Sequence, residues 1–262
     1  MDMKDKNIAS LTQFGGAPFF VFCDHASNSI PANLNGLGIP KDILQTHIAW
    51  DLGAGPLAMA LAQRLDGTAF HCGFSRLIID PNRDPKAKDL IPATSDQIPI
   101  PGNQMLSEEE RQRRLADFFT PYHERLSAAL DKMTRTHQDF FAVSIHSFTH
   151  KLMGASSDRP WQAGLLWRED KTSAMLIKDY LEKNAGWNVG DNEPYDARVF
   201  NHSVDQHIGP RKLRHLTIEI RQDMIETNDQ IAEVAELIAN GVAHTSNTHT
   251  DNITQIRTEG PL

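Results

Sequence analysis

The sequence predicts an α/β protein: a mixed, largely parallel sheet sandwiched between helices in three α/β/α layers. Two observations carry this. Short apolar runs rich in β-branched and aromatic residues alternate with helical stretches along the chain, the pattern of a helix-flanked sheet. Four of those runs stop abruptly in polar groups, as strands do when they deliver side chains to one edge of a sheet. The 262 residues are 40% hydrophobic and 23% charged, a composition that fits a globular chain with a large core. No internal repeat or clear linker divides residues 1–262, so one domain is expected, with loose tails over 1–16 and 245–262.

The elements follow in order. Gly15 and Gly16 break the lead-in, and Ala17 to Cys23 is a nearly all-apolar strand, buried on both faces. It ends in Asp24-His25-Ala26-Ser27-Asn28. After a turn-rich loop from Pro31 to Pro40, a helix is expected from about Asp42 and another from Pro56 to Leu65, with Pro56 in its first turn. Thr68 to Cys72 and Leu77 to Ile79 read as short strands, the second running into Asp80-Pro81-Asn82-Arg83. Residues 84–104 hold four prolines and read as a long loop over one face. Ser107 and Glu110 form a capping box that opens a charged helix to about Arg135, kinked or divided by Pro121.

Phe140 to Thr149 is an apolar strand that stops at His146. Gly164 to Trp167 is a further strand, Thr172 to Asn184 a helix stopped near Gly186, and Asn192 to Asn201 a polar loop. Leu216 to Ile220 is the last strand, and a closing helix runs from about Asn228 to Asn240.

With 26 basic and 34 acidic residues the formal charge is −8, which argues against nucleic acid or an anionic membrane as partner. No apolar run approaches the roughly 20 residues that span a bilayer. The N-terminus lacks the apolar core of a secretory signal, and Cys23 and Cys72 are too few for a disulfide framework. A cytoplasmic protein is expected.

The polar strand ends are His25, the Asp80–Arg83 turn, His146 and Glu219. In parallel sheets such ends converge where ligands bind. Two histidines and a carboxylate are a usual first shell of catalytic zinc, with a fourth position left for water. No His-Glu-x-x-His motif occurs, so such a site has to be assembled from distant segments. Plainer readings stand beside it: His146 as a core histidine, Glu219 paired with Arg221, arginines tying down the 84–104 loop, and Tyr195 as an exposed turn residue.

Ile145-His146-Ser147-Phe148 resembles the histidine strand of zinc carboxypeptidases, and Thr217-Ile218-Glu219-Ile220-Arg221 resembles the strand of their catalytic glutamate. Asp80-Pro81-Asn82-Arg83 is similar to a turn of the aspartoacylases. A fuller resemblance, to the N-formylglutamate amidohydrolase family, rests on six segments in order. They are Asp24-His25-Ala26-Ser27-Asn28, Trp50-Asp51-Leu52-Gly53-Ala54, Ser75-Arg76-Leu77-Ile78-Ile79-Asp80 with Asn82-Arg83, Ile145-His146-Ser147-Phe148-Thr149, Asn192-Glu193-Pro194-Tyr195, and Glu219-Ile220-Arg221-Gln222-Asp223.

The resemblance implies a zinc carboxypeptidase-like fold, one Zn2+ per chain, and His25 and His146 as ligands. Asn28 stands where carboxypeptidases have a ligand glutamate, and an amide oxygen is a poor zinc ligand. Asp24 adjoins His25, and neighbours on an extended strand point to opposite faces, so Asp51 is the expected third ligand, with Asp24 as its alternative or as a partner behind the ligands. Glu219 becomes the general base and then acid. Arg76 is a candidate for polarising the scissile carbonyl, and Asn82, Arg83, Arg76 and Tyr195 for binding a small acidic N-acyl amino acid. The implied reaction is hydrolysis of N-formyl-L-glutamate to L-glutamate and formate, within histidine breakdown. Alternatives are another N-acyl amino acid, a small peptide or a cell-wall fragment as substrate, or a non-catalytic binding protein on the same fold.

Overall fold

The computed structural model describes residues 8–258, with side chains described through Ser246. A seven-stranded sheet organises the chain, in the order β1 (Ala9–Gln13), β3 (Thr68–Cys72), β2 (Phe19–Cys23), β6 (Phe141–Phe148), β9 (Arg214–Arg221), β7 (Ala163–Leu166), β8 (Val189–Asp191). From β3 to β9 every neighbouring pair is parallel, while β1 and β7 run antiparallel to β3 and β9. This is the mixed, mostly parallel sheet expected from the sequence.

Alternation along the strands splits the core into two layers. On one face Val21, Val143, Ile145, Leu216 and Ile218 pack under α1 (Ala54–Arg64), α4 (Lys171–Ala185) and α5 (Asn228–Thr258). On the other, Phe20, Phe22, Phe70 and Ala142 meet Tyr122, Leu126 and Leu130 of α3 (Thr120–Thr136). Residues two apart on a strand share a face, so Ser144 and His146 of β6 and Thr217 and Glu219 of β9 fall on the α3 side. Burying Val143 or Ile145 completely stabilises the fold by about 1.5–3 kcal/mol each, and that packing holds the polar stripe in place.

Ser107 caps α2 (Glu108–Arg114) by accepting the Glu110 N–H at 3.1 Å. A π turn over Leu115–Phe119, closed by the Thr120 N–H on the Leu115 carbonyl, joins α2 to α3 next to Pro121. The proline divides the helix as expected, because its ring cannot extend a regular ladder.

Four expectations need correction. Ala9–Gln13, read as loose lead-in, is edge strand β1, paired along its length with β3; residues 1–7 lie outside the described residues. An edge strand with one solvated face needs few apolar residues, so Ala-Ser-Leu-Thr-Gln gives little signal. Leu77–Ile79 is a fully buried turn and not a strand: the Ser75 hydroxyl accepts the Leu77 N–H, and the Ser75 carbonyl accepts the Ile78 N–H. The stretch from Asp42 makes only one 3-10 turn, Ile43–Gln45, before Thr46 extends. The closing helix continues through the expected tail to Thr258; residues 259–262 lie outside the described residues.

Residues 84–104 carry a small hairpin of β4 (Thr94–Ser95) and β5 (Ile98–Pro99). Cys23 and Cys72 are free and belong to core layers on opposite faces of the sheet. Among the described residues no helix is long and apolar enough to cross a membrane.

Candidate active site

From β2 the chain first pairs outward with β3, then crosses to form β6 on the other side of β2. Loops leaving the two strands diverge there and open a crevice at their carboxyl ends, where open α/β sheets bind ligands. His25 lies two residues beyond β2. His146 lies on β6, in register with Glu219 on β9, so the strand pairing sets both side chains at one height. Asp51 arrives from the segment before α1, pinned by its N–H to the His25 carbonyl at 3.0 Å.

The two imidazoles have matching surroundings. His25 Nδ1 lies 3.2 Å from Asp51 Oδ2 and its Nε2 lies 2.8 Å from Asp80 Oδ1. His146 Nδ1 lies 2.9 Å from the same Asp51 oxygen and its Nε2 lies 3.6 Å from Asp24 Oδ2. Asp24 is fixed in turn by the Tyr122 hydroxyl at 2.5 Å and the Ser203 hydroxyl at 2.8 Å. Asp80 also accepts Arg76 Nη2 at 2.7 Å, and Asp51 Oδ1 accepts Arg76 Nη1 at 3.3 Å. All of these histidines and aspartates are buried.

This donor set fits a divalent metal. A neutral imidazole has one N–H and one acceptor nitrogen. With the His25 N–H directed through Nε2 at Asp80, its Nδ1 lone pair turns toward Asp51, and His146 Nδ1 faces the same Asp51 oxygen while its Nε2 is buried without a hydrogen-bond partner. One ligand atom from each of His25, Asp51 and His146 lies within 4.8 Å of the other two. Two imidazoles and a carboxylate backed by outer carboxylates make the usual catalytic zinc shell with its orienting partners. An Asp51 oxygen lies between the two Nδ1 atoms, whereas Asp24 lies behind His146. Asn28 faces elsewhere, donating to the Leu44 carbonyl at 2.9 Å.

The charges follow from burial and pairing. Burial alone would raise Asp51 and Asp80, but His25 and His146 hold Asp51 below the ordinary carboxylate range, and Arg76 and His25 do the same for Asp80. Burial works against a charged His146, yet Asp24 and Asp51 together pull it well above the ordinary histidine value. Glu219 goes the other way. Burial pushes its carboxyl up to about 7, opposed by His146 and reinforced by Asp51. Its Oε2 is buried without a hydrogen-bond partner, while Arg221 pairs with Asp223 at 2.7 Å.

Glu219, both histidines, Asp51, Arg76, Asn82, Arg83 and Tyr195 line one cavity of about 120 Å³. The expected ligands, base and substrate-binding residues therefore line one space, while Asn28 and Arg221 do not. Arg83 also ties to the long loop through Asp89 at 2.9 Å, and its guanidinium stacks over Phe200 at 4.7 Å. Asn82 is positioned by the Ser203 N–H on its Oδ1 at 3.0 Å. The Tyr195 hydroxyl accepts Arg159 Nη1 at 3.2 Å, and the guanidinium stacks on the ring at 5.0 Å.

The model of the N-formylglutamate amidohydrolase family matches residues 17–226, a span that holds this whole constellation. The chain belongs to that family. The N-formylglutamate amidohydrolases are enzymes that act on an amide bond. The fold is similar to that of a gene product of Agrobacterium tumefaciens, at 29% identity and a TM-score of 0.87, over 92% of this chain and 96% of that one. It is also similar to an N-formylglutamate amidohydrolase from Ralstonia eutropha JMP134, at 18% identity and a TM-score of 0.71, over 94% and 99% of the two chains. No curated protein matches the chain significantly.

Several residues in and around the cavity escaped the sequence reading. Behind the wall Tyr122 and Ser203 fix Asp24 and Arg159 braces Tyr195, while Thr217, Phe200 and Leu166 belong to the lining itself. Thr217 was legible in principle, sharing a strand face with Glu219. Leu166 ends β7, and the others lie on a helix or in loops whose local sequence gives no hint of what they meet across the fold. Asp80 orients Arg76 and His25 together.

Proposed function

We propose that this chain is a zinc-dependent amidohydrolase that converts N-formyl-L-glutamate and water to L-glutamate and formate. The observation that carries the reading is the convergence of His25, His146 and Asp51 beside Glu219, with two arginines in the same cavity. His25, His146 and Asp51 would hold the metal, while Asp80 and Asp24 orient the rings. A zinc ion there would supply Lewis acidity and lower the pKa of water.

Glu219 takes the proton of the attacking water and returns it to the leaving nitrogen, so the amine departs neutral. Its free oxygen, on the strand beside His146, supports that role. Arg76, fixed by Asp51 and Asp80, faces the acyl oxygen and stabilises the charge that grows on it. Arg83 and Asn82 grip the substrate carboxylates, a guanidinium being the fork that matches them. Tyr195, braced by Arg159, covers the amino-acid moiety. The substrate is a small acidic N-acyl amino acid of the cytoplasm.

Replacing Glu219 with Gln tests the assignment. The fold and about one zinc per chain should remain, while kcat falls roughly 10²–10⁴-fold, the contribution expected of a positioned acid–base group. Full activity in Glu219→Gln would remove the residue from the chemistry, and zinc well below one per chain in gently purified wild type would favour a binding protein.

A further inference from the structure

A second cavity, of about 240 Å³, adjoins the first. The two share Asp51, Arg76, Ser147 and Tyr195, so they meet beside the residues assigned to the scissile carbonyl. Glu219, Asn82 and Arg83 line only the first cavity. That division orients an amide. The leaving nitrogen has to reach Glu219, and its carboxylates lie with Arg83 and Asn82. The acyl substituent then points past Arg76 and Tyr195 into the second cavity. A formyl group has only hydrogen in that direction and leaves the larger space unfilled.

The walls of this space state what it accepts. Beyond the shared residues its polar lining is His47, Ser95, Asp96 and Thr149, with Ile48, Phe148 and Leu152 as the apolar part. Asp96 brings a carboxylate, held by His47 Nε2 at 3.0 Å and by the Met153 N–H at 3.0 and 3.1 Å. Ser95 and Thr149 bring hydroxyls. The guanidinium in this wall, Arg76, is occupied by Asp51 and Asp80. Both charges are already paired, so the wall offers the remaining acceptor lone pairs of Asp96, Ser95 and Thr149 to hydrogen-bond donors and offers an anion no unpaired cation among these lining residues.

The space is also built into the fold. Asp96 and Gln97 form the tip of the β4–β5 hairpin with φ of 41° and 65°, a region that non-glycine residues occupy only where their surroundings impose it. The tip is clasped across the cavity to the loop after β6, through Asp96 on the Met153 N–H and Gln97 Nε2 on the Met153 carbonyl. Gly154 follows at φ 77°, where a Cβ would lie 2.7 Å from Gln97 Nε2.

We propose that this cavity is an acyl-group subsite, and that the enzyme also hydrolyses N-acyl amino acids whose acyl chain is longer than formyl and carries a hydroxyl or ammonium donor. The inference rests on the amidohydrolase reading above. The reaction keeps the same balance: water adds to the acyl carbon, the C–N bond breaks, Glu219 passes the water's proton to the nitrogen, and a carboxylic acid is released with the free amino acid.

The test compares zinc-loaded enzyme on the N-formyl, N-acetyl, N-glycolyl, N-glycyl and N-succinyl derivatives of L-glutamate. N-glycolyl and N-glycyl substrates should show kcat/KM within about tenfold of N-formyl or above it, and N-succinyl should fall at least about tenfold below them. Leu152→Trp, which fills the cavity, should slow the two longer donors by about tenfold or more and leave N-formyl within roughly twofold. Ser95→Phe fills it from the hairpin side and repeats the test should Leu152→Trp misfold. Equilibrium titration of Glu219→Gln protein with N-glycyl-L-glutamate should weaken about tenfold when Leu152→Trp is added.

Turnover of N-formylglutamate without any longer acyl group, or equal slowing of every substrate by both filling variants, overturns the subsite and leaves the amidohydrolase reading standing. Absence of turnover on all five amides by zinc-loaded enzyme overturns both.

Discussion

His25 and His146 each sit between an inner carboxylate they share and an outer one of their own. In the proposed site Asp80 acts at a distance from any substrate, yet its contact with His25 Nε2 sets which ring nitrogen carries the proton and so which one would be free to bind metal. Asp80→Asn should therefore leave a folded protein whose zinc affinity, measured by chelator competition, falls roughly 10–100-fold. An unchanged affinity would mean that Asp80 serves Arg76 alone. The sequence carried much of this scale. His25, His146 and Glu219 stood out because apolar strands end in them, and Asp51 could be preferred over Asp24 because strand neighbours such as Asp24 and His25 face opposite ways. What it withheld is pairing across the fold: nothing near Asp24 foretells Tyr122, 98 residues later, or the sharing of Asp80 between Arg76 and His25.

Among the elements, β7 shows how close packing places a substrate-facing loop. Gly164 pairs with Glu219 across the sheet, and a Cβ there would lie 1.9 Å from the Glu193 carbonyl and 3.2 Å from Pro194. The loop ending in Tyr195 thus lies directly on the strand beside the proposed base. Gly164→Ala should push that loop away, with a loss of about 1–3 kcal/mol and a Tm lower by several degrees on a calorimetric scan. KM for N-formylglutamate should rise as Tyr195 leaves the cavity. Gly16→Ala, whose Cβ meets nothing within 4 Å, is the neutral control.

Legibility at this scale followed burial. β6 and β9 were plain because alternation and β-branched residues mark central strands. The edge strand β1 was hidden by its polar sequence. Leu77–Ile79 was misread because a buried turn satisfied by a serine hydroxyl has the same apolar composition as a short strand. The stretch from Asp42 looked helical locally, but its chain is needed to carry Asp51 back to His25.

At the scale of the whole molecule, several buried histidines outside the metal-ligand set link stability to pH. His71 is lowered to about 4 by burial, His207 to about 4 by burial and Arg211, and His123 to about 3 by burial and His207. Their unfolded counterparts titrate near 6.5. Each folded value is depressed, so the stability from keeping these rings neutral is complete above about pH 6.5 and is lost as pH falls toward 4. Thermal scans should show Tm falling by several degrees across that interval, and His71→Leu should make the fall shallower. The overall architecture was the most legible level, since alternating strands and helices leave few topologies, and six segments in family order gave the identity. The strand order itself was not written in any local signal.

That order has a consequence for the chain as it is made. β1, β2 and β3 are complete by Cys72, yet the inner edge of β2 is paired only when Phe141–Ser144 arrive. Until then Phe19-Phe20-Val21-Phe22 offers a ribosome-bound chain an open, apolar strand edge, a template for joining neighbouring nascent chains. The crevice that collects the proposed catalytic groups in the finished protein is, during synthesis, its most exposed seam.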